Sequence, residues 1–261
     1  MLKHFAKMIL PPLLQDYIRS KPVRIRIIKH TRSSWISKKL KYISPYDSHS
    51  SLFDRIDGVA VETQRLGALP LWEGYKAVNG YPTTIGEDAT RTSNQVRTHR
   101  RIGEFFTWLV LERKPSIIIE FGAAFGVSGM YWLAGLNLNK SGHLYSFEPN
   151  ATWANVAQGN MQKICDRFTL TVGTFEGNFK SIESQEYGID IAFIDAIHTS
   201  EFVYAQLELI LRKAAPGCII VFDDIDFSKD MQNCWNEICN DSRFASAMEV
   251  NNVGIVELPT I

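Results

Sequence analysis

Three apolar runs each carry an acid at or next to their last position: S-I-I-I-E-F over residues 116–121, D-I-A-F-I-D over 190–195 and C-I-I-V-F-D-D over 218–224. Hardly any of their positions alternate between apolar and polar. A half-exposed strand would alternate, so runs of this kind describe strands covered on both faces, as in a parallel sheet. Two more strand candidates, His143–Phe147 and Phe168–Val172, and helical stretches at 127–138, 151–165 and 199–213 fill the intervals. Strands alternating with helices predict a doubly wound α/β domain. A helix near 229–240 and two short strands around 245–250 and 253–258, joined at Asn251-Asn252, predict an antiparallel terminal hairpin. The expected sheet is therefore mostly parallel and seven-stranded, with an antiparallel end.

This domain is expected over residues 92–261, opened by a helix that begins at Thr92 and stops before Pro115. T-S-N-Q there has the capping-box pattern, with Thr92 and Gln95 as the reciprocal pair. Residues 51–91 read as a cap or lid segment, and 1–50 as a basic extension. In the extension Leu2, Phe5, Ile9, Leu13, Tyr17 and Ile18 recur at helical spacing, interrupted by Pro11-Pro12. Residues 20–50 alternate basic and apolar positions and then turn polar, which reads as a connector.

Charge is distributed unevenly. The 28 basic and 28 acidic side chains of the 261-residue chain cancel. Residues 1–50 nevertheless hold eleven Lys/Arg against Asp16 and Asp47, a net of +9, which leaves −9 on the remainder. A peripheral contact with an anionic membrane or a partner protein is expected through residues 1–50. The basic segment has no interleaved aromatic platform, so nucleic acid is not an expected partner. Cys165, Cys218, Cys234 and Cys239 are too scattered for a disulfide framework, and the N-terminus lacks the features of a secretory signal. The expected location is the cytoplasm, with residues 1–50 able to hold the chain to the inner face of a membrane.

The first of the three apolar runs continues into E-F-G-A-A-F-G-V-S, Glu120 to Ser128, at the carboxyl end of a strand, where doubly wound folds bind ligands. Gly122 and Gly126 permit a tight turn and are expected to present backbone amides to an anionic group, with Ala123 and Ser128 on the same loop. A dinucleotide site wants a glycine where Ala124 stands. Glu120 repels phosphate and suits a ligand with an ammonium group, and Glu148, ending the next strand, can accept both hydroxyls of a ribose. A nucleoside amino acid meets both demands. Asp195, Asp223 and Asp224 converge on the same sheet edge, where hard oxygen donors suit Mg²⁺, with Mn²⁺ and Ca²⁺ as alternatives. Such a metal would bind an acceptor hydroxyl and lower its pKa.

With these motifs the sequence resembles the class I S-adenosylmethionine-dependent methyltransferases, whose first motif is an acid and Gly-x-x-x-Gly at a strand end. D-A-I-H-T (Asp195–Thr199) and A-P-G-C-I-I-V-F-D-D (Ala215–Asp224) resemble more narrowly the metal-dependent small-molecule O-methyltransferases of the catechol and antibiotic-sugar types. The resemblance implies S-adenosylmethionine and a divalent cation as cofactors and methylation of a hydroxyl on a small molecule. It implies Glu120, Gly122, Ala123, Ala124, Gly126, Ser128, Glu148, Thr174, Phe175 and Asp195 at the cofactor, with Thr174 and Phe175 beside adenine by position. Asp195, Asp223 and Asp224 are the implied metal ligands.

His198 stands where catechol-type enzymes carry a lysine base, and Asp224 where they carry Asn; Asp-Asp is closer to the antibiotic-sugar branch. The general base is therefore either His198 or Asp223. The Asp-Asp variant and the Leu-Pro-Pro-Leu-Leu segment favour a sugar, glycan or natural-product acceptor. A homo-oligomer is the expected state. Three rival readings remain: a nicotinamide oxidoreductase, a metal-independent methyltransferase, and a non-catalytic scaffold attached through residues 1–50.

Overall fold

The computed structural model describes residues 23–32, 34–39, 50–71, 90–195 and 197–260. The amphipathic stretch expected over residues 2–18 and most of the expected cap, 72–89, lie outside them. The described elements begin with strand β1 (Ile25–His30), helices α1 (Trp35–Lys39) and α2 (Ser50–Gln64), and the short strands β2 (Leu69–Pro70) and β3 (Thr90–Arg91). Helices α3 (Ser93–Val96) and α4 (Arg100–Arg113) follow, then β4 (Ile117–Phe121), α5 (Val127–Asn139), β5 (His143–Glu148), α6 (Ala151–Gln162) and β6 (Phe168–Val172). The chain closes with α7 (Phe175–Glu183), β7 (Ile189–Ile194), α8 (Ser200–Lys213), β8 (Ala214–Phe222), α9 (Lys229–Asn240), β9 (Ser246–Val250) and β10 (Val253–Glu257).

The main sheet runs β1-β9-β10-β8-β7-β4-β5-β6. From β8 to β6 every pairing is parallel, while β10, β9 and β1 add antiparallel strands at one side. All five residues of β4 are buried, as a central parallel strand requires. Its side chains divide between two cores. Ile118 joins Phe105, Phe106, Leu133 and Met161 on one face, while Ile117, Ile119 and Phe121 join Phe179, Leu207 and Trp235 on the other. The molecule is thus a three-layer α/β/α arrangement of the Rossmann-like methyltransferase type, with α2, α4, α5 and α6 on one face and α7, α8 and α9 on the other.

Four features depart from the sequence expectation. Eight strands rather than seven form the sheet, because residues 25–30, read as connector, pair with β9 from Ile25↔Val250 to His30↔Ser246. Residues 51–64, assigned to a cap, belong to a helix, Ser50–Gln64, whose Phe53, Ile56 and Ala60 lie in the same core as the sheet. The single helix expected from Thr92 is two helices. Arg97 leaves α3 in extended conformation (ψ 144°), and Thr98 and His99 continue as a link before α4. The crossover between β6 and β7 contains α7, which was not foreseen.

Buried Glu257 ties the N-terminal segment to the sheet. Its carboxylate accepts hydrogen bonds from Ser34 Oγ at 2.7 Å, Ser246 Oγ at 3.2 Å and the backbone N–H groups of Trp35 and Ile36 at 2.8 and 3.3 Å. Each donor left buried without an acceptor costs roughly 1–3 kcal/mol. Glu257→Ala strands the buried ones among these donors and is expected to lower the unfolding free energy by about 3 kcal/mol, read as a fall in the urea midpoint at unchanged m-value.

Candidate active site

The site forms where β4, β5, β7 and β8 all end. The glycine loop turns sharply after β4, with Gly122 at φ 79°, Ala124 at φ 47° and Gly126 at φ 81°. A left-handed conformation is strained for a residue with a Cβ, and Ala124 holds it because its backbone is anchored on both sides. The N–H groups of Gly122 and Ala123 donate to Phe147 O at 3.0 and 3.1 Å, that of Ala124 to Glu148 Oε2 at 2.8 Å, and that of Gly126 to Ala123 O at 2.7 Å. These amides, expected to face an anion, are spent inside the fold. Gly126 also lies against α6, where a Cβ would come within 3.0 Å of Ala157 Cα.

Glu148 is held as firmly as the loop it supports. Its Oε1 accepts from Asn150 N–H at 2.8 Å while Oε2 takes the Ala124 N–H, and burial pushes its carboxyl up to about 7 against the pull of both bonds. Glu120, from the middle of the sheet, is fully buried. Ser146 on the neighbouring strand donates to its Oε2 at 2.6 Å, but Oε1 has no partner. Burial raises its carboxyl to about 6, with hydrogen bonds from Ser128 and Ser146 acting in the opposite sense.

A cleft of about 220 Å³ opens over this loop, lined by Gly122, Ala123, Ala124, Ser128 and Asp195, together with Arg97 and Thr98. The last two were not singled out in the sequence, because nothing in T-S-N-Q-V-R-T-H marks where the helix stops. Thr174 and Phe175 are not among the lining residues. Thr174 caps α7, accepting from Gly177 N–H at 3.2 Å, and the buried Phe175 ring packs against Phe121 and Phe147 at centroid distances of 4.3 and 5.4 Å.

Asp195 joins the cleft to a second group. One donor atom each from Asp195, His198 and Asp223 lies within 4.8 Å of the others. Donors on opposite sides of an ion held at about 2.1 Å stand about 4.2 Å apart, so a small closure of the trio would seat a divalent cation. His198 Nε2 lies 3.4 Å from Asp195 Oδ1 and is buried without a hydrogen bond. Burial, followed by neighbouring carboxylates, pushes Asp195 and Asp223 well above the usual carboxylate range. The donor set and the crowding of acids both fit a cation. Asp224, expected as the third ligand, stands outside the trio. It adopts φ 46° and its Oδ1 accepts from Asn252 Nδ2 at 2.6 Å.

Residues 119–225 match a family described as a methyltransferase domain. That stretch contains the glycine loop and the Asp195/His198/Asp223 trio, and solved methyltransferases share the fold. Similar folds include an O-methyltransferase from Bacillus cereus in complex with SAH (18% identity, TM-score 0.56, covering 87% of this chain and 98% of that one). A putative O-methyltransferase from Klebsiella pneumoniae has 21% identity and a TM-score of 0.57 over 87% of this chain and 98% of its own. The O-methyltransferase TomG from Streptomyces achromogenes, involved in tomaymycin synthesis and solved with SAM, has 15% identity and a TM-score of 0.55 over 79% and 98%. Within the matched stretch, Glu120 Oε1 is a buried acceptor with no hydrogen-bond donor among the described residues.

The raised carboxyl of Glu120 has a consequence for stability. Below pH 4.5 both folded and unfolded chains carry the proton, whereas between 4.5 and about 6 only the unfolded chain loses it, so this group's contribution falls as pH rises through that window. Glu120→Gln removes the effect. Relative to wild type, the variant is expected to gain about 2 kcal/mol on going from pH 4 to pH 7.5, measured by urea denaturation at both pH values.

Proposed function

We propose that the protein is an O-methyltransferase that moves a methyl group from S-adenosylmethionine to a hydroxyl of a small molecule with the help of a divalent cation. The observation that carries this reading is that Asp195 belongs at once to the glycine-loop cleft and to the Asp195/His198/Asp223 trio. A donor site and a site for an activated oxygen therefore share a wall. When bound, the donor supplies an electrophilic sulfonium methyl group and the cation a Lewis acid that lowers the pKa of the acceptor hydroxyl.

The chain's own groups divide the remaining work. Glu120 receives the ammonium of the donor at Oε1, and Glu148, ionised, accepts ribose hydroxyls with lone pairs its two amide bonds leave over. Asp195 and Asp223 hold the cation. His198 takes the acceptor's proton at Nε2, which no other group occupies, and Asp195 beside it stabilises the imidazolium that results. The loop holds the donor in one orientation. The Asp223-Asp224 pair, resembling the antibiotic-sugar branch, supports a sugar, glycan or natural-product acceptor.

Isothermal titration with S-adenosylmethionine, with and without Mg²⁺ or Mn²⁺, followed by a turnover panel of hydroxylated sugars and phenols, tests this reading. Asp223→Asn is expected to abolish cation binding and reduce turnover by about 10³-fold while leaving donor affinity within about three-fold. His198→Gln should lose turnover while leaving donor affinity within about three-fold. Full turnover in EDTA would instead establish a metal-independent enzyme.

Donor affinity also carries a pH signature. Because Glu148 titrates at about 7 and binds the ribose ionised, affinity should weaken up to ten-fold for each pH unit below that value and level off above it. Glu148→Ala should flatten this component of the profile and weaken binding by about 10²-fold.

A further inference from the structure

The side of the sheet formed by β1 has no role in the chemistry above. Residues 23–39 contain six Lys/Arg and no acid. Arg26 is paired with Glu249, Lys39 with Glu112, and Lys29 donates to Asp241 O. Arg24, Arg32 and Lys38 make no ion pair among the described residues. Between these cations Ile25, Ile27 and Ile28 are 38%, 44% and 40% exposed. β1 pairs only with β9, so its other edge is uncovered by any described strand.

Branched aliphatic side chains set among unpaired cations match one kind of surface. Nucleic acid would neutralise the cations yet leave the isoleucines against phosphate and water. An anionic bilayer accepts both, with the isoleucines entering the headgroup boundary and the cations meeting lipid phosphates. The sequence continues in the same sense before β1, where Lys3, Lys7, Arg19 and Lys21 stand against Asp16 alone. Among the described residues no helix is long and apolar enough to cross a membrane, so the contact would be peripheral.

We propose that the β1 edge, through Arg24, Arg32, Lys38 and the exposed isoleucines, docks the protein on an anionic phospholipid bilayer. The strand's direction gives this docking a use. Ile25 lies opposite Val250, which pairs with Val253, and Gly254 pairs with Phe222, the residue before Asp223. The start of β1 is therefore at the same end of the sheet as the acid-lined site, which brings an acceptor carried at a lipid surface beside it. The docking is independent of the reaction proposed above.

Flotation of the full chain with vesicles of three parts phosphatidylcholine to one part phosphatidylglycerol, against phosphatidylcholine alone, tests it. Binding is expected to the anionic vesicles only and to disappear at about 0.5 M salt, where screening shortens to a few ångströms. Each surface cation is worth roughly five-fold in partitioning, so R24Q/R32Q/K38Q should weaken binding on the order of 100-fold. Ile27→Ser should weaken it severalfold, and thermal unfolding and donor titration of both variants should match wild type. No binding to either vesicle, equal binding to both, undiminished binding by the folded triple variant, or preference for duplex RNA over the anionic vesicles would each overturn the proposal.

Discussion

Four carboxyl groups at the ends of adjacent strands, Glu120 and Glu148 buried and Asp195 and Asp223 half-buried, govern this molecule. Glu120, Glu148, Asp195 and Asp223 are all displaced upward in pKa, and for each of them desolvation is the largest cause. A fold selected only for stability would not gather them, since every buried ionised acid without a matched cation costs free energy. The apolar layers on either face of β4 and β8 offset that cost. The acids are consequently an unmet demand for positive charge, which the proposed function divides between a sulfonium and ammonium ligand on one side and a divalent cation on the other.

The hydrogen bonds around the glycine loop set the shape of that demand. Glu148 both supports the loop at Ala124 and stands at the strand end suited to ribose, so the loop's backbone and the ligand share one carboxylate. The consumption of the 122–124 amides by Phe147 O and Glu148 leaves the loop with little capacity for phosphate. The same geometry counts against a dinucleotide, as does the Cβ that Ala124 carries where a pyrophosphate would approach.

Much of this was legible in the sequence, because the signals were long and local. Strand ends at Glu120, Glu148, Asp195 and Asp223 follow from uninterrupted apolar runs and the residues that close them. The unforeseen parts depend on tertiary partners. Residues 25–30 do alternate Ile with Arg, but a lone edge strand of that composition is indistinguishable from a solvated connector until β9 supplies its ladder. The interruption of the helix at residues 97–99 has no proline or glycine to announce it and serves to place Arg97 and Thr98 on the cleft. Phe175 could equally have faced a ligand or the core; the aromatic neighbours Phe121 and Phe147, from two other strands, decide for the core. Asp224 was grouped with its neighbour by adjacency and by the resemblance; it lies near enough to raise the carboxyls of Asp195 and Asp223, while its left-handed backbone and the Asn252 amide hold its Oδ1.

The residue leading into β1 meets the β9–β10 turn beside that aspartate. Arg24 and Asn251, 227 positions apart, exchange hydrogen bonds through Arg24 N–H to Asn251 Oδ1 and Asn251 N–H to Arg24 O, and the next residue, Asn252, secures Asp224. At a translation speed of about 5–20 residues per second, strand β1 emerges from the ribosome roughly 10–45 s before β9, its partner among the described strands. Throughout that interval its isoleucines and open backbone have nothing to pair with, and a chain cut short anywhere before β9 would keep them bare permanently. Newly made copies are therefore most exposed to wrong association during synthesis, at the edge that synthesis completes last.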